Sequence, residues 1–348
     1  MFLVALAITL SSFLFIYSAT FRGSEHFMYK QLSWLLLAMM AFWFVVFVGY
    51  RSFLNVSYLI YWFSIMLLVL VLVIGHVRHG AQRWIPIGSF ALQPSEFCKL
   101  AIILALAQFL AERTKTLGQK RSFALGALLV FAPFALILKQ PDLGTAILLF
   151  PILFSMLFIW GIRFRYLIGV LAGGIMSSPF LWFMLKPYQQ KRLLVFLNPN
   201  ADPLGSGYTA LQSKIAVGSG GLLGKGWLHG TQTQLEFVPE HHTDFIFCVT
   251  GEEFGFVGSL LLILLFCLLI GYAIQIIERT TDQKARLLAM GVASMIFFQM
   301  LVNVGMTIGF APITGVTLPM VSYGGSSLIV TFLAIGFLVS IHKERSIF

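Results

Sequence analysis

Apolar residues run through this chain in long unbroken blocks, and short polar stretches separate them. A helix needs about 20 mostly apolar residues to cross the hydrocarbon core of a bilayer. Ten segments meet that standard: 1–20, 30–50, 56–75, 93–111, 122–138, 144–161, 166–185, 246–277, 285–309 and 319–341. The fifth and sixth are short and close together, which predicts a hairpin joined at Lys139-Gln140-Pro141-Asp142. The expected fold is all-α: one polytopic membrane domain over residues 1–348 with about ten transmembrane helices. The first block lacks a basic leader and a small-residue cleavage site, so it reads as a span and not as a cleaved signal.

Residues 186–245 break the pattern and form the one large loop, between spans seven and eight. The loop opens on a turn-rich run (Asn198-Pro199-Asn200-Ala201-Asp202-Pro203). A helix then follows with Tyr208, Leu211 and Ile215 on one face, and after it Gly218-Ser219-Gly220-Gly221. It is expected to pack into the bundle mouth or lie in the interface. Charge sets the orientation. With both termini cytoplasmic, the short inner segments carry twelve Lys and Arg and the short outer ones six. That bias fits the positive-inside rule and makes the long loop extracytoplasmic.

Composition agrees. Hydrophobic residues are 59% of the chain and charged residues 10%, more apolar surface than a soluble interior can hide. A net charge of +10 would suit nucleic acid if the cations formed one basic face, but they are spread over short loops between spans, and no nucleic-acid partner is expected. Cys98, Cys248 and Cys267 are an odd set in or beside the spans, which argues against a disulfide framework.

The candidate chemistry gathers at the outer ends of the spans. Glu96 and Lys99 lie at i, i+3 near the start of span four, where Pro94 suits a first helical turn. Ionisable groups at that depth are expensive unless paired or functional. Asp244 closes a polar stretch and begins span eight, as a helix cap or as a base. Asp142 in the hairpin, and Lys191 with Arg192 in the long loop, are solvated charges or site residues. Glu252 and Glu253 read as network partners deeper in, and Gln299 with Asn303 as interhelical glue. His229, His241 and His242 lack metal-ligand spacing. Ser219–Gly226 falls short of a phosphate-binding loop. A transporter places its site near the midplane. A site at the outer ends, open to lipid, suits an enzyme acting on a lipid-linked substrate.

Several motifs in order resemble the SEDS family (shape, elongation, division and sporulation), and its RodA branch in particular. They are Arg83-Trp84-Ile85, Gln93-Pro94-Ser95-Glu96, Gln140-Pro141-Asp142-Leu143-Gly144-Thr145, Asp202-Pro203-Leu204-Gly205-Ser206-Gly207-Tyr208, Gln212-Ser213-Lys214-Ile215-Ala216, Thr243-Asp244-Phe245-Ile246-Phe247 and Ser322-Tyr323-Gly324-Gly325-Ser326. Gly230-Thr231-Gln232-Thr233-Gln234-Leu235-Glu236 is similar to RodA more than to the division branch. The resemblance implies a peptidoglycan glycosyltransferase of the bacterial inner membrane that polymerises lipid II on the outer face. It also implies a class B penicillin-binding protein as partner, with other elongation-complex membrane proteins. Asp244 matches the family's essential aspartate, and Glu96 with Lys99 its polar pair. On this reading Asp244 is the catalytic base, Arg192, Lys99 and Arg83 hold pyrophosphate, Glu96 orients Lys99, and Asp142 is a further substrate-site residue. No cofactor is required, although a divalent cation, Mg or Mn, would suit the leaving group. A lipid II flippase and a non-catalytic scaffold are the competing readings.

Overall fold

A computed structural model describes every residue except 22–25, 79–80, 88–89, 114–118, 167, 170–171, 174–175, 177–181, 184, 204 and 346–348. The helices in chain order are α1 (Phe2–Thr20), α2 (His26–Val48), α3 (Tyr50–Asn55), α4 (Ser57–Ile74), α5 (Pro94–Arg113), α6 (Gln119–Lys139) and α7 (Leu143–Trp160). Three follow in the long loop, α8 (Pro187–Leu197), α9 (Ser206–Ser219) and the single turn α10 (Thr231–Gln234). The last are α11 (Ile246–Arg279), α12 (Gln283–Ile308) and α13 (Gly325–Arg345). All but α3, α8, α9 and α10 are long and apolar enough to span a bilayer, which makes nine spans among the described residues. The protein is a multi-pass membrane protein. The seventh expected span, 166–185, lies largely outside the described residues.

The spans sort into inner and outer by what surrounds them. Residues 98–110 of α5 are buried throughout, and α13 is buried over most of its length, so these helices form the bundle centre with α12. Helices α2 and α4 turn large residues outward at helical spacing, among them Leu36, Met40, Phe44 and Phe47 on α2 and Leu59, Trp62, Met66 and Val73 on α4. Such a face belongs in lipid. Small residues bring the backbones close. A Cβ at Gly336 would stand 3.1 Å from the Phe42 carbonyl, so α13 and α2 meet there almost backbone to backbone.

Four features depart from the expectation. Residues left as loop before α5 form a small antiparallel sheet of β1 (His76–Arg78), β2 (Ala81–Ile87) and β3 (Phe90–Leu92), in the order β1-β2-β3. The final span begins at Gly325 and not at 319, because residues 309–324 are irregular, with Gly309 and Gly315 at positive φ. Helix α9 does present Leu211 and Ile215 together, but both are exposed. Its inward side is Gly207, Ser213 and Ala216, since close packing in a membrane protein favours small residues.

The eighth span differs most. At 34 residues α11 would reach about 51 Å as one rod, well beyond a hydrocarbon core of about 30 Å. It is broken at Gly255, whose φ of 65° and ψ of −158° only glycine adopts readily. Backbone groups freed by a break at membrane depth need partners. The Gly-rich segment of the long loop supplies them. Phe256 N–H donates to Gly221 O and Val257 N–H to Leu222 O, at 2.9 and 3.1 Å. On the other side of the break Lys225 and Gly226 N–H donate to Glu252 and Glu253 O, both at 3.0 Å. Leu222 and Leu223, 72% and 80% exposed, face outward from this wedge.

At Gly255 a Cβ would lie 2.3 Å from Gly224 N, whereas at Gly271 it would meet nothing within 4 Å. Gly255→Ala should therefore cost more than about 3 kcal/mol, by strain and lost wedge contacts together. Gly271→Ala should be neutral or stabilising by a few tenths of a kcal/mol to about 1 kcal/mol. Thermal unfolding of the two purified variants in detergent compares them directly.

Candidate active site

The turn between α6 and α7 is the first component. Asp142 caps α7, accepting from Thr145 N–H at 3.2 Å, and is also reached by Ser95 Oγ at 3.2 Å and Gln93 Nε2 at 3.3 Å. Arg83 Nη1, on β2, stands 3.7 Å from Asp142 Oδ1, and the same guanidinium donates to the Gln140 and Pro141 carbonyls at the end of α6. A cation over helix-end carbonyls is well placed. Asp142 is thus a buried structural carboxylate and not a solvated hairpin charge.

Helix α8 brings Tyr188 and Arg192, four residues apart and so on one face, to the same place. Arg192 Nη1 donates to the Thr314 carbonyl at 3.4 Å. Burial, and then the neighbouring Arg83 cation, lower the proton affinity of Arg192. Tyr188, Asp244 and Asp142 oppose them. The Tyr188 phenol is raised by burial, against the pull of Arg83 and Arg192. Tyr188 was not singled out in the sequence, where one tyrosine among ten carries no signal.

Asp244 stands at the centre. It is not a cap, because the N-cap of α11 is Phe245 and that position makes no side-chain cap bond. Its main chain is held firmly. Asn303 Nδ2 donates to the Asp244 carbonyl at 2.8 Å and to the Val316 carbonyl at 2.7 Å. Ser322 Oγ donates to Thr243 O at 2.6 Å, and Tyr323 N–H to His242 O at 3.0 Å. The carboxylate, by contrast, carries no hydrogen bond or ion pair among the described residues. It is half-buried, and its pKa is raised to about 6 by desolvation first and then by the Glu240 carboxylate, with Arg83 and Arg192 pulling the other way. Gly315, at φ 75°, leaves it room, for a Cβ there would sit 3.2 Å from Asp244 Oδ2. Open space also reaches this segment through a cavity of about 380 Å³ lined by Phe27, Glu236, Glu240 and His242.

Other candidates stand apart. Lys99 Nζ lies 2.8 Å from Glu96 Oε1, and the lysine is 0% exposed, so this pair is sealed inside the bundle behind Ser95. Lys191 pairs with Asp202 at 3.0 Å. The structure therefore brings Arg83, Asp142, Tyr188, Arg192 and Asp244 into one electrostatic cluster and leaves Glu96 and Lys99 paired with each other.

The cell cycle protein family of FtsW, RodA and SpoVE matches residues 1–347. The chain is 46% identical over 288 residues to the peptidoglycan glycosyltransferase MrdB of Escherichia coli K12, covering 82% of this chain and 77% of that one. It is 34% identical to the peptidoglycan glycosyltransferase RodA of Treponema pallidum, over 99% and 96% of the two chains. One solved chain, from work on the structural coordination of polymerization and crosslinking by a peptidoglycan synthase complex, superposes with a TM-score of 0.86 at 34% identity, covering 99% of this chain and 96% of that chain. The rod shape determining protein RodA of Thermus thermophilus superposes at 0.75 with 31% identity, over 99% and 95%.

A carboxylate raised from 3.8 to about 6 on folding makes the folded state relatively more stable at low pH, and that advantage is lost as pH rises through about 6. Asp244→Asn should accordingly unfold at a higher temperature than the parent at pH 7.5, by roughly 1–2 kcal/mol after allowance for partial exposure. Near pH 4 the difference should vanish. Melting curves at the two pH values test both the sign and the window.

Proposed function

This chain belongs to the FtsW, RodA and SpoVE family, and we propose that it polymerises lipid II at the outer face of the bacterial cytoplasmic membrane with Asp244 as its catalytic base. Peptidoglycan glycosyltransferase is the activity by which its MrdB and RodA relatives are named, and this chain is such an enzyme. The observation that carries the assignment of roles is the unpartnered Asp244 carboxylate facing two guanidinium groups.

The reaction joins the 4-hydroxyl of one lipid-linked sugar to the anomeric carbon of another. Asp244 takes the hydroxyl proton as the new C–O bond forms. The anomeric C–O bond breaks, and the electron pair leaves with the polyprenyl pyrophosphate. A base with a pKa near 6 is charged at neutral pH and still accepts a proton well, and such transfer contributes about 10²–10⁴-fold. Arg192 and Arg83 receive the pyrophosphate charge in a partly desolvated site, where preorganised cations are most effective. Lys99, oriented by Glu96, adds its field from inside the bundle. Asp142 holds Arg83. A Mg or Mn ion carried by the pyrophosphate would find Asp244 and Glu240 nearby, while the Asp142 oxygens already have donors. Direct displacement inverts the anomeric centre.

A class B penicillin-binding protein is the proposed partner, within the elongation machinery, and both termini of this chain are cytoplasmic. The break in α11 gives no support to a flippase route, because the chain's own wedge fills it.

Purified protein with its cognate penicillin-binding protein should convert lipid II into glycan strands. Asp244→Asn should lose at least about 10²-fold in kcat while still binding the partner. The parent rate should climb through about pH 6 and level off above it, as the base ionises. Scrambling of lipid II in liposomes without polymer, or full polymer from Asp244→Asn, would overturn the assignment.

A further inference from the structure

Asp244 sits just before the first turn of α11, and Gly255 interrupts that helix. Residues 246–254 are therefore a short rod, joined to the rest of the span only through a glycine. Its front end is held by Asn303 and Ser322. Its rear end is held by main-chain bonds from Lys225 and Gly226, by Glu253, which accepts from Ser18 Oγ on α1, and by Glu252, which gathers the most donors. Glu252, 0% exposed, collects five donors from the long loop. Its Oε1 takes Lys225 Nζ at 2.7 Å, Thr231 Oγ1 at 3.2 Å and Gln232 N–H at 2.8 Å. Its Oε2 takes Thr233 N–H and Oγ1, both at 3.0 Å. The fit is close, since a Cβ at Gly230 would approach Oε2 to 3.0 Å.

Packing alone does not call for this arrangement. A buried carboxylate is costly, and an apolar residue of similar size often serves stability as well or better. What the carboxylate adds is geometry, because several donors from one loop converge on it and fix the rod's tilt. Asp244 stands immediately ahead of the same rod, eight residues before Glu252.

We infer that Glu252 is a positioning residue for glycosyl transfer: by locking residues 246–254 to the loop 225–233 it sets where Asp244 stands relative to Arg83 and Arg192. This rests on the assignment of Asp244 as the base. The charged groups facing Asp244 are Arg83 from β2, Asp142 from the α6–α7 turn, Arg192 from α8 and Glu240 from its own segment. The segment 311–318 and α12 contribute Gly315 and Asn303, which do not titrate. A rod free to tilt changes these distances, and so changes both the rate and the pH at which the base ionises.

The test is lipid II polymerisation by the full chain in complex with its penicillin-binding protein, using only monodisperse material. Glu252→Ala should lower kcat by about 10-fold or more, leave KM within about threefold, and displace the acid limb of the kcat profile by about half a pH unit or more. Glu252→Gln combined with Lys225→Met should recover part of the kcat lost in Glu252→Ala, because the amide oxygen still accepts one of the Gln232 and Thr233 N–H groups and no ammonium is left unpaired. Folded Glu252→Ala with the parent's kcat and acid limb would overturn the proposal, whatever its melting temperature. If Glu252→Ala does not fold, Thr233→Val and Lys225→Met carry the same test, with smaller losses of about two- to fivefold expected and unchanged kcat in both overturning it. Asp244→Asn in parallel separates the failures. An active Asp244→Asn overturns the base and the positioning role together, and an inactive one beside a parent-like Glu252→Ala overturns the positioning role alone.

Discussion

No backbone amide or carbonyl can be left without a partner in hydrocarbon, and the shape of this protein follows from how that demand is met. Most of its described spans meet it by helical bonding, and in α6, where Pro133 has no N–H to give, the Leu129 carbonyl accepts from the Tyr61 hydroxyl at 2.8 Å instead. Helix α11 is broken at Gly255, and the amides and carbonyls around the break pair with a segment contributed from 220–226. The irregular stretch 309–324 satisfies itself in a similar way, through Asn303 on one side and Ser322 on the other. Both solutions converge on Asp244, whose main chain is anchored by the groups that keep the irregular stretch in order.

Against this background the distribution of charge is selective. Glu96 is closed off by Lys99, Glu252 by Lys225 and the loop amides, and Asp142 by a helix end and three side chains. Each is a buried carboxylate whose cost is offset locally. Asp244 alone among these is held by its backbone and left bare at its side chain. The two arginines that would most readily neutralise it are engaged elsewhere, Arg83 on the α6 carbonyls and Arg192 on Thr314. On the proposed roles, substrate pyrophosphate would compete for them without first breaking an Asp244 ion pair.

The spans were legible because a block of about 20 apolar residues has few other fates. The Glu96–Lys99 pair was legible for a similar reason, as i, i+3 spacing places both on one face. Arg83, Asp142 and Arg192 could be chosen only through the motifs that contain them, since a charged residue in a loop looks the same whether solvated or buried. The break at Gly255 was hidden altogether. Gly255 is one of four glycines in α11, each of which a straight helix would tolerate, and the partner that makes the break possible lies about thirty residues upstream. Tyr188 and the small sheet carrying Arg83 were missed for want of length. An 11-residue helix and strands of 3 and 7 residues give periodicity too little to act on.

The wedge also imposes an order of assembly. During synthesis residues 220–226 leave the ribosome before α11 exists, so the slot they occupy is formed only afterwards. Residues 256–279 are apolar enough to enter the bilayer by themselves, which lets the membrane-inserted half of α11 be recognised first. The N-terminal part, residues 246–254 with Asp244 just ahead of it, can settle only once the earlier loop folds back onto the break. Settling of the Asp244 end is thereby made a late event in biogenesis, after the bundle is already in the membrane.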